Sequence, residues 1–265
     1  MENLVICAPT CYSSEFLIFL LKSWERFASD YKLLIVIDGD VDDNILQMSD
    51  FWEKENVFVE VISGERSKPH AHNVCLDVAR NKLGADYIFL LNDDMVLGAH
   101  WEYNLDEYKE VLDDGNIVSF RLCERGNFLS SSGVISYDKS FVSVEDFNLD
   151  ELEVFTHNFY TNCVKKIDNG CPFSNVFPIL FNSKYINKYR FDEELKLGGG
   201  IDTDFCMVVF KSGKEFFKLT KNLVFHFSCG TSNKLREAGK WRDNNDIFLK
   251  KWGKTIGECL DEMCS

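Results

Sequence analysis

The segment Leu90-Leu91-Asn92-Asp93-Asp94-Met95 sets an amide and two carboxylates at the end of an apolar run. Carboxylates crowded in one place cost free energy unless a cation neutralises them. A hard divalent ion takes oxygen ligands and keeps positions open for phosphate oxygens. Side chains at i and i+2 just past a strand reach one such ion. Asp94 is the better ligand, with Asn92 or Asp93 as the second contact. Asn and Asp are also common in Asx turns, and the apolar strand before them is what tips the reading toward chemistry. The tetrad therefore points to a metal-dependent enzyme acting on a nucleotide-activated substrate.

Asp38 closes another apolar run, Leu33-Leu34-Ile35-Val36-Ile37. At the carboxyl edge of a sheet it would sit beside Asp94 and accept hydrogen bonds from a base N–H or from ribose hydroxyls. Asp38-Gly39 is equally a strong turn dipeptide. Arg66, Lys68, His70, His72 and Asn73 fall between a third apolar run and a helix N-terminus. That placement favours anions through backbone N–H groups and the helix dipole, and this reading is preferred over a solvated loop with a capping Asn or His.

Gly198-Gly199-Gly200-Ile201-Asp202-Thr203-Asp204 is the second strong signal. Glycines let a backbone approach a ligand closely. A carboxylate set next to them takes a proton from an attacking hydroxyl, as general bases do. Asp202 would also serve as N-cap of a helix running through Val209. His226 lies in an otherwise apolar segment, where a satisfied core histidine is the usual case, although a neutral imidazole is also a good metal ligand.

Strands must deliver these groups to one place. Leu4–Ala8, Leu33–Ile37, Val57–Ile62 and Asp86–Leu91 are short, apolar and rich in β-branched residues, the pattern of buried strands in a parallel sheet. Between them, Leu17, Leu20, Leu21, Trp24 and Phe27 form one helical stripe, entered through Ser13 or Ser14 with Glu15 in the first turn. Asn44 to Glu55 reads as helical. Ala71, Val74, Cys75, Val78 and Ala79 form the stripe of a further helix. A helix over about His100 to Leu112 and a strand at Ile117–Arg121 follow. The alternation implies a doubly wound, mostly parallel sheet with helices on both faces. From Gly126 to Asn175 the periodicity breaks down, and loops with short strands are expected. Strands at Phe177–Phe181, Phe216–Leu219 and Leu223–Phe227, and a helix at Ile247–Trp252 ending at Gly253, complete the reading.

A chain of 265 residues, 45% hydrophobic and with 23 Phe, buries a sizeable ring-rich core. Its net charge of −14 disfavours nucleic-acid binding, and no polybasic membrane anchor is visible. The ten cysteines include no Cys-x-x-Cys pair and read as buried thiols of a reducing compartment rather than as zinc ligands or disulfides. No leader pattern and no membrane-length apolar run is seen, so a cytoplasmic protein is expected.

In order and spacing, these pieces resemble the GT-A glycosyltransferases, family 2 in particular. The resemblance runs from Leu4 to about Gly253. It rests on Ala8-Pro9-Thr10, Val36-Ile37-Asp38-Gly39, Ala71-His72-Asn73, Leu91-Asn92-Asp93-Asp94, Gly199 to Phe205, His226 with Gly230-Thr231, and Lys251-Trp252-Gly253. It implies an α/β fold of GT-A type, with a Rossmann-like, mostly parallel sheet and a smaller acceptor-side region. Residues 1–125 would form the donor half and 126–265 the acceptor and catalytic half of one continuous domain.

The resemblance further implies that Pro9, Thr10, Asp38, His72, Asn73, Asn92 and Asp93 contact a UDP- or GDP-sugar donor. Asn92 to Asp94 looks like the family's Asp-x-Asp motif, with Mn²⁺ or Mg²⁺ held by Asp94, Asn92 and His226. Asp202 or Asp204 would be the base of an inverting transfer, of a hexose or similar sugar, to a glycan or other hydroxyl acceptor. Asn92 replaces the first Asp of that motif, His72 stands where Arg is common and so exchanges a fixed cation for a titratable one, and Ile201 occupies the usual Glu position before Asp202. A nucleotidyltransferase on a related fold, or a non-catalytic nucleotide- or sugar-binding scaffold, is the alternative.

Overall fold

The computed structural model describes residues 1–10, 14–39, 42–63, 67–125, 134–137, 145–162, 167–169, 176–195, 197–227, 236–237, 239 and 241–264. The first half runs β1 (Leu4–Thr10), α1 (Ser14–Phe27), β2 (Lys32–Asp38), α2 (Asp43–Leu46), α3 (Ser49–Trp52), β3 (Val57–Ile62), α4 (Lys68–Asn81), β4 (Tyr87–Leu90), β5 (Met95–Leu97), α5 (Lys109–Asp113) and β6 (Ile117–Arg125). The second half adds β7 (Ile135–Tyr137), α6 (Leu149–Asn162), β8 (Ile167–Asn169), β9 (Ile179–Asn182), α7 (Ile201–Lys211), β10 (Phe216–His226), α8 (Asn245–Trp252) and α9 (Ile256–Cys264).

The strands form one sheet in the order β3-β2-β1-β4-β9-β6-β10-β5, with β7 beside β6 and β8 beside β10. Strands β1 to β4 are parallel, as their uninterrupted apolar sequences require. Strand β9, from the second half, inserts antiparallel between β4 and β6 of the first. β6 and β10 are parallel to each other and, across β9, share the direction of β4. The sheet is therefore mostly parallel, with β5, β8 and β9 reversed. One edge collects the carboxyl ends of β1, β2, β4, β6 and β10, the edge where open α/β sheets bind ligands.

Two apolar cores hold this frame. The larger one packs α1, α4, α7 and the sheet around fully buried Trp24, Trp101, Phe89, Phe120 and Phe205. Phe89 stacks on Trp101 at 5.1 Å and meets Phe120 at 4.5 Å. A smaller core lies under α6 and gathers Cys123, Tyr137, Leu152, Leu223 and Phe225.

Several elements differ from the sequence reading. Asn44 to Glu55 breaks into the short helices α2 and α3, because Asp42 caps the first through Ile45 N at 3.0 Å and the chain turns again at Met48. The helix expected over His100 to Leu112 begins with a turn and a 3-10 stretch, Leu105–Tyr108, before α5. Helix α6 arises in the stretch expected to be loops and short strands. Its signal is Asn148, whose Oδ1 accepts from Asp150 N and Glu151 N, and the spacing Leu152, Phe155, Thr156, Phe159. The strands expected on either side of Thr220 join into β10, with a register shift between Leu219 and Leu223. Buried Asn222 there donates to the carbonyls of His100, Trp101 and Tyr103.

Helix α7 starts at Ile201 behind Gly200, which holds φ +93, so Asp202 lies inside the first turn and is not the cap. A β-carbon on Gly200 would lie 2.8 Å from Phe248 and 2.9 Å from Ile256. Gly200→Ala adds left-handed strain to that crowding and should destabilise the protein by about 1–3 kcal/mol in denaturant unfolding.

Candidate active site

The carboxyl ends of β1, β4 and β10 converge on the Asn92-Asp93-Asp94 turn, which closes through Met95 N to Asn92 O at 3.2 Å. Thr10, the last residue of β1, donates its hydroxyl to Asp93 Oδ2 at 2.7 Å. Phe227 N donates to the Asp94 carbonyl at 2.9 Å, so the end of β10 is pinned against the turn. This brings His226 Nε2 to 3.5 Å from Asp94 Oδ1. The other ring nitrogen, Nδ1, lies 2.6 Å from Glu124 Oε1 at the end of β6. Glu124, Asp93 and Asp94 are all buried, at 2%, 6% and 6% exposure.

These burials set the charges. Burial and the neighbouring Asp94 charge push Asp93 up to about 7, against the Thr10 hydrogen bond and Lys68. Burial also opposes the charge on Asp94, but His226 outweighs it and holds Asp94 below the ordinary carboxylate range. Burial opposes a charge on His226 as well, and Asp94 and Glu124 overcome it, raising the imidazole to about 10. Burial raises Asp202, with Lys68 and His226 opposing and Asp94 adding to the rise. A partly exposed carboxyl thus faces the cluster with a higher proton affinity than a free one, the tuning a general base uses.

Lys68, the first residue of α4, acts electrostatically on Asp93, Asp94, Asp202 and His72. With His226 it supplies positive charge to the site. The sequence reading set it among the groups that favour an anion at a helix start, though not among the expected donor contacts. Glu124 went unread because it closes a strand expected to end at Arg121.

Other expected residues take different places. Asp38 Oδ2 accepts from Ser67 N at 2.7 Å and so fixes the start of α4. Pro9 is buried in β1 opposite Val36. The Asn73 amide donates to Phe191 O and Glu193 Oε1 and accepts from Phe191 N, so these bonds make it a strut between α4 and the Phe191 segment rather than a free donor contact. His72 is fully buried between Phe191 and Phe177, with Nδ1 2.7 Å from the Lys68 carbonyl. Burial, then Lys68, lower it to about 3. The expectation of a titratable cation at His72 is therefore corrected: the ring is neutral, and Lys68 carries the charge.

Asp204 is 1% exposed; its carboxylate accepts from Lys251 Nζ at 2.9 Å and Trp252 Nε1 at 2.8 Å. Both oxygens serve to clamp α8 onto α7. Asp202 keeps its place at the cluster.

The donor set fits a hard divalent ion. Asp94 Oδ1 and Asn92 Oδ1 are buried without a hydrogen-bond partner, and His226 Nε2 faces the first of them. Among the described residues no three His, Cys, Asp or Glu side chains converge to hold a metal on their own. Diphosphate oxygens would therefore have to complete the coordination. A cavity of about 490 Å³ opens elsewhere, beside Arg26, His100, Glu153 and His157, and shares no residue with this cluster.

The fold is of the GT-A type: a mostly parallel, curled sheet with helices, whose carboxyl edge carries the acidic cluster. It is similar to the crystal structure of S. aureus TarS 1-349, at a TM-score of 0.55 and 13% identity over 99% of this chain and 69% of that one. The TarS 1-349 complex with UDP-GlcNAc superposes at a TM-score of 0.58 and 13% identity over 99% and 66%, and the UDP complex at 0.55 and 13% over 99% and 65%. The chain spans 42% of the longer TarS structure. No protein-family model and no curated protein matches the sequence.

A buried neutral His72 makes stability depend on pH. Its folded value of about 3 lies below the ordinary 6.5, so the unfolded chain binds the extra proton between them. That contribution is complete above about pH 6.5 and is lost as pH falls toward 3. His72→Phe should flatten the fall in melting temperature between about pH 7 and pH 5, by up to about 1.4 kcal/mol of stability per pH unit.

Proposed function

We propose that the protein is a glycosyltransferase that moves a sugar from a nucleoside-diphosphate sugar to a hydroxyl acceptor with inversion. The observation that carries this reading is the meeting, at one sheet edge, of the Asp93-Asp94 pair, His226, Lys68 and the carboxyl of Asp202. TarS, which shares the fold, has been crystallised with UDP and with UDP-GlcNAc, and a UDP-sugar is accordingly the donor we favour.

In this reading Asp94, Asn92 and His226 hold Mn²⁺ or Mg²⁺. When bound, the ion supplies charge neutralisation for the leaving diphosphate. Thr10 orients Asp93, and the carboxylate edge with Asp38 and Pro9 frames the nucleotide. Lys68 adds a fixed positive charge on the diphosphate side. Asp202 takes the proton of the acceptor hydroxyl as that oxygen attacks the anomeric carbon, and the C–O bond to the diphosphate breaks. Trp241 packs near Gly199, with Arg236 over its ring at 4.4 Å, and walls the acceptor side of Asp202. Among the described residues no helix is long and apolar enough to cross a membrane, and a cytoplasmic location is part of the proposal.

Turnover of radiolabelled UDP-sugars against a panel of hydroxyl acceptors tests the roles. Asp202→Asn should lower kcat by about 10²- to 10⁴-fold with donor binding retained; full turnover would remove Asp202 from the base position. Asp204→Asn should instead lower the melting temperature through loss of the Lys251 and Trp252 clamp. Chelator should abolish transfer and Mn²⁺ restore it. Turnover undiminished in chelator would shift diphosphate neutralisation onto Lys68 and His226. Pyrophosphate release from a nucleoside triphosphate and a sugar phosphate would favour a nucleotidyltransferase.

A further inference from the structure

Outside the groups named for donor, ion and acceptor, one buried ionisable side chain touches the cluster. Glu124 is 2% exposed, and a carboxylate at that depth is costly unless something compensates it. It meets the His226 ring through Nδ1. Strand register brings them together: β6 and β10 are parallel with Glu124 opposite His226, while β5 lies on the other side of β10 with Met95 opposite the same histidine. His226 is therefore bracketed, with Glu124 on one flank and Asp94, the residue before Met95, on the other.

We propose that Glu124 is a positioning residue for the ion and diphosphate site, holding the His226 ring through Nδ1 so that Nε2 faces Asp94 Oδ1. The inference rests on the metal-dependent reading given above. The 2.6 Å contact anchors the ring through Nδ1 and leaves Nε2 on the Asp94 side.

The 3.5 Å between Nε2 and Asp94 Oδ1 exceeds the roughly 2.7–2.9 Å of a charge-assisted hydrogen bond. Among the described residues Asp94 Oδ1 has no hydrogen-bond partner. A carboxylate behind a ligating histidine fixes its tautomer and ring orientation and raises its basicity. Glu124 stands on the Nδ1 side of the ring, where that support is needed.

The test is calorimetric titration of Mn²⁺ into the full chain with UDP present, for wild type, Glu124→Gln and Glu124→Leu. Glu124→Gln should weaken Mn²⁺ binding by about 10- to 100-fold, with UDP binding in chelator unchanged. A second readout is ¹⁵N NMR of the histidine rings with Mg²⁺ and UDP bound. The His226 proton should sit on Nδ1 in wild type and lose that preference in Glu124→Leu. If Glu124→Leu does not fold, the Mn²⁺ affinity of Glu124→Gln decides, because the Gln carbonyl can still accept from Nδ1–H. Unchanged Mn²⁺ affinity and an unchanged tautomer in a folded variant would overturn the role of Glu124 and leave the metal reading standing. Absence of Mn²⁺ binding in wild type would overturn the metal reading, and this inference with it.

Discussion

Negative charge gathered at one edge of a buried sheet has to be neutralised, and the architecture around Asp94 is organised by that requirement. Asp93, Asp94 and Glu124 are nearly inaccessible to water, and water is what would ordinarily stabilise their ionised forms. The chain answers with His226 between Asp94 and Glu124, with a hydroxyl from Thr10 on Asp93, and with Lys68 at the start of α4. Each of these arrives on a different element. The site therefore exists only when β1, β4, β6, β10 and α4 are all in place, which ties its chemistry to the global fold.

The sheet makes that convergence possible. Reversed β9 lets β4 and β6 keep the same direction while sitting two strands apart, so both deliver their carboxyl ends to the same edge. Reversed β5 leads the chain away from Asp94 along β10 and leaves His226 held on both flanks. Polar struts then fix the pieces that apolar packing alone would leave free to slide. Asn73 ties α4 to the Phe191 segment, Asn222 satisfies three carbonyls of the turn after β5, and Asp204 joins α7 to α8. Because they are satisfied within the protein, these buried groups cost little and specify one arrangement.

Much of the first half of the chain was legible in the sequence. The first four strands were readable because strands buried on both faces are continuous apolar runs, and the helices between them were readable from their stripes. The Asn92-Asp93-Asp94 turn and the glycines before Asp202 stood out for the same reason: polar groups and flexible backbone are out of place beside apolar strands. What was not legible depends on distance in sequence. Glu124 and His226 are 102 residues apart and meet through strand register, which no local pattern encodes. The roles of Asp202 and Asp204 were not separable by spacing; they separate only because Lys251 and Trp252 close over Asp204. His72 read as a charge because its burial depends on Phe177 and Phe191, more than a hundred residues away. Gly230 and Thr231, and the loop residues 11–13, lie outside the described residues.

The most direct test of a nucleoside-diphosphate site at this edge is the melting temperature of the wild-type chain and of Asp94→Ala, measured with UDP and Mn²⁺. A ligand present at about 100 times its dissociation constant stabilises the folded state by about 2.7 kcal/mol, which in a protein of this size is a shift of about 5 °C or more. The account predicts such a shift for wild type, its loss in Asp94→Ala, and a clear reduction with chelator. An equal shift in Asp94→Ala, or none in wild type at saturating UDP, would contradict it.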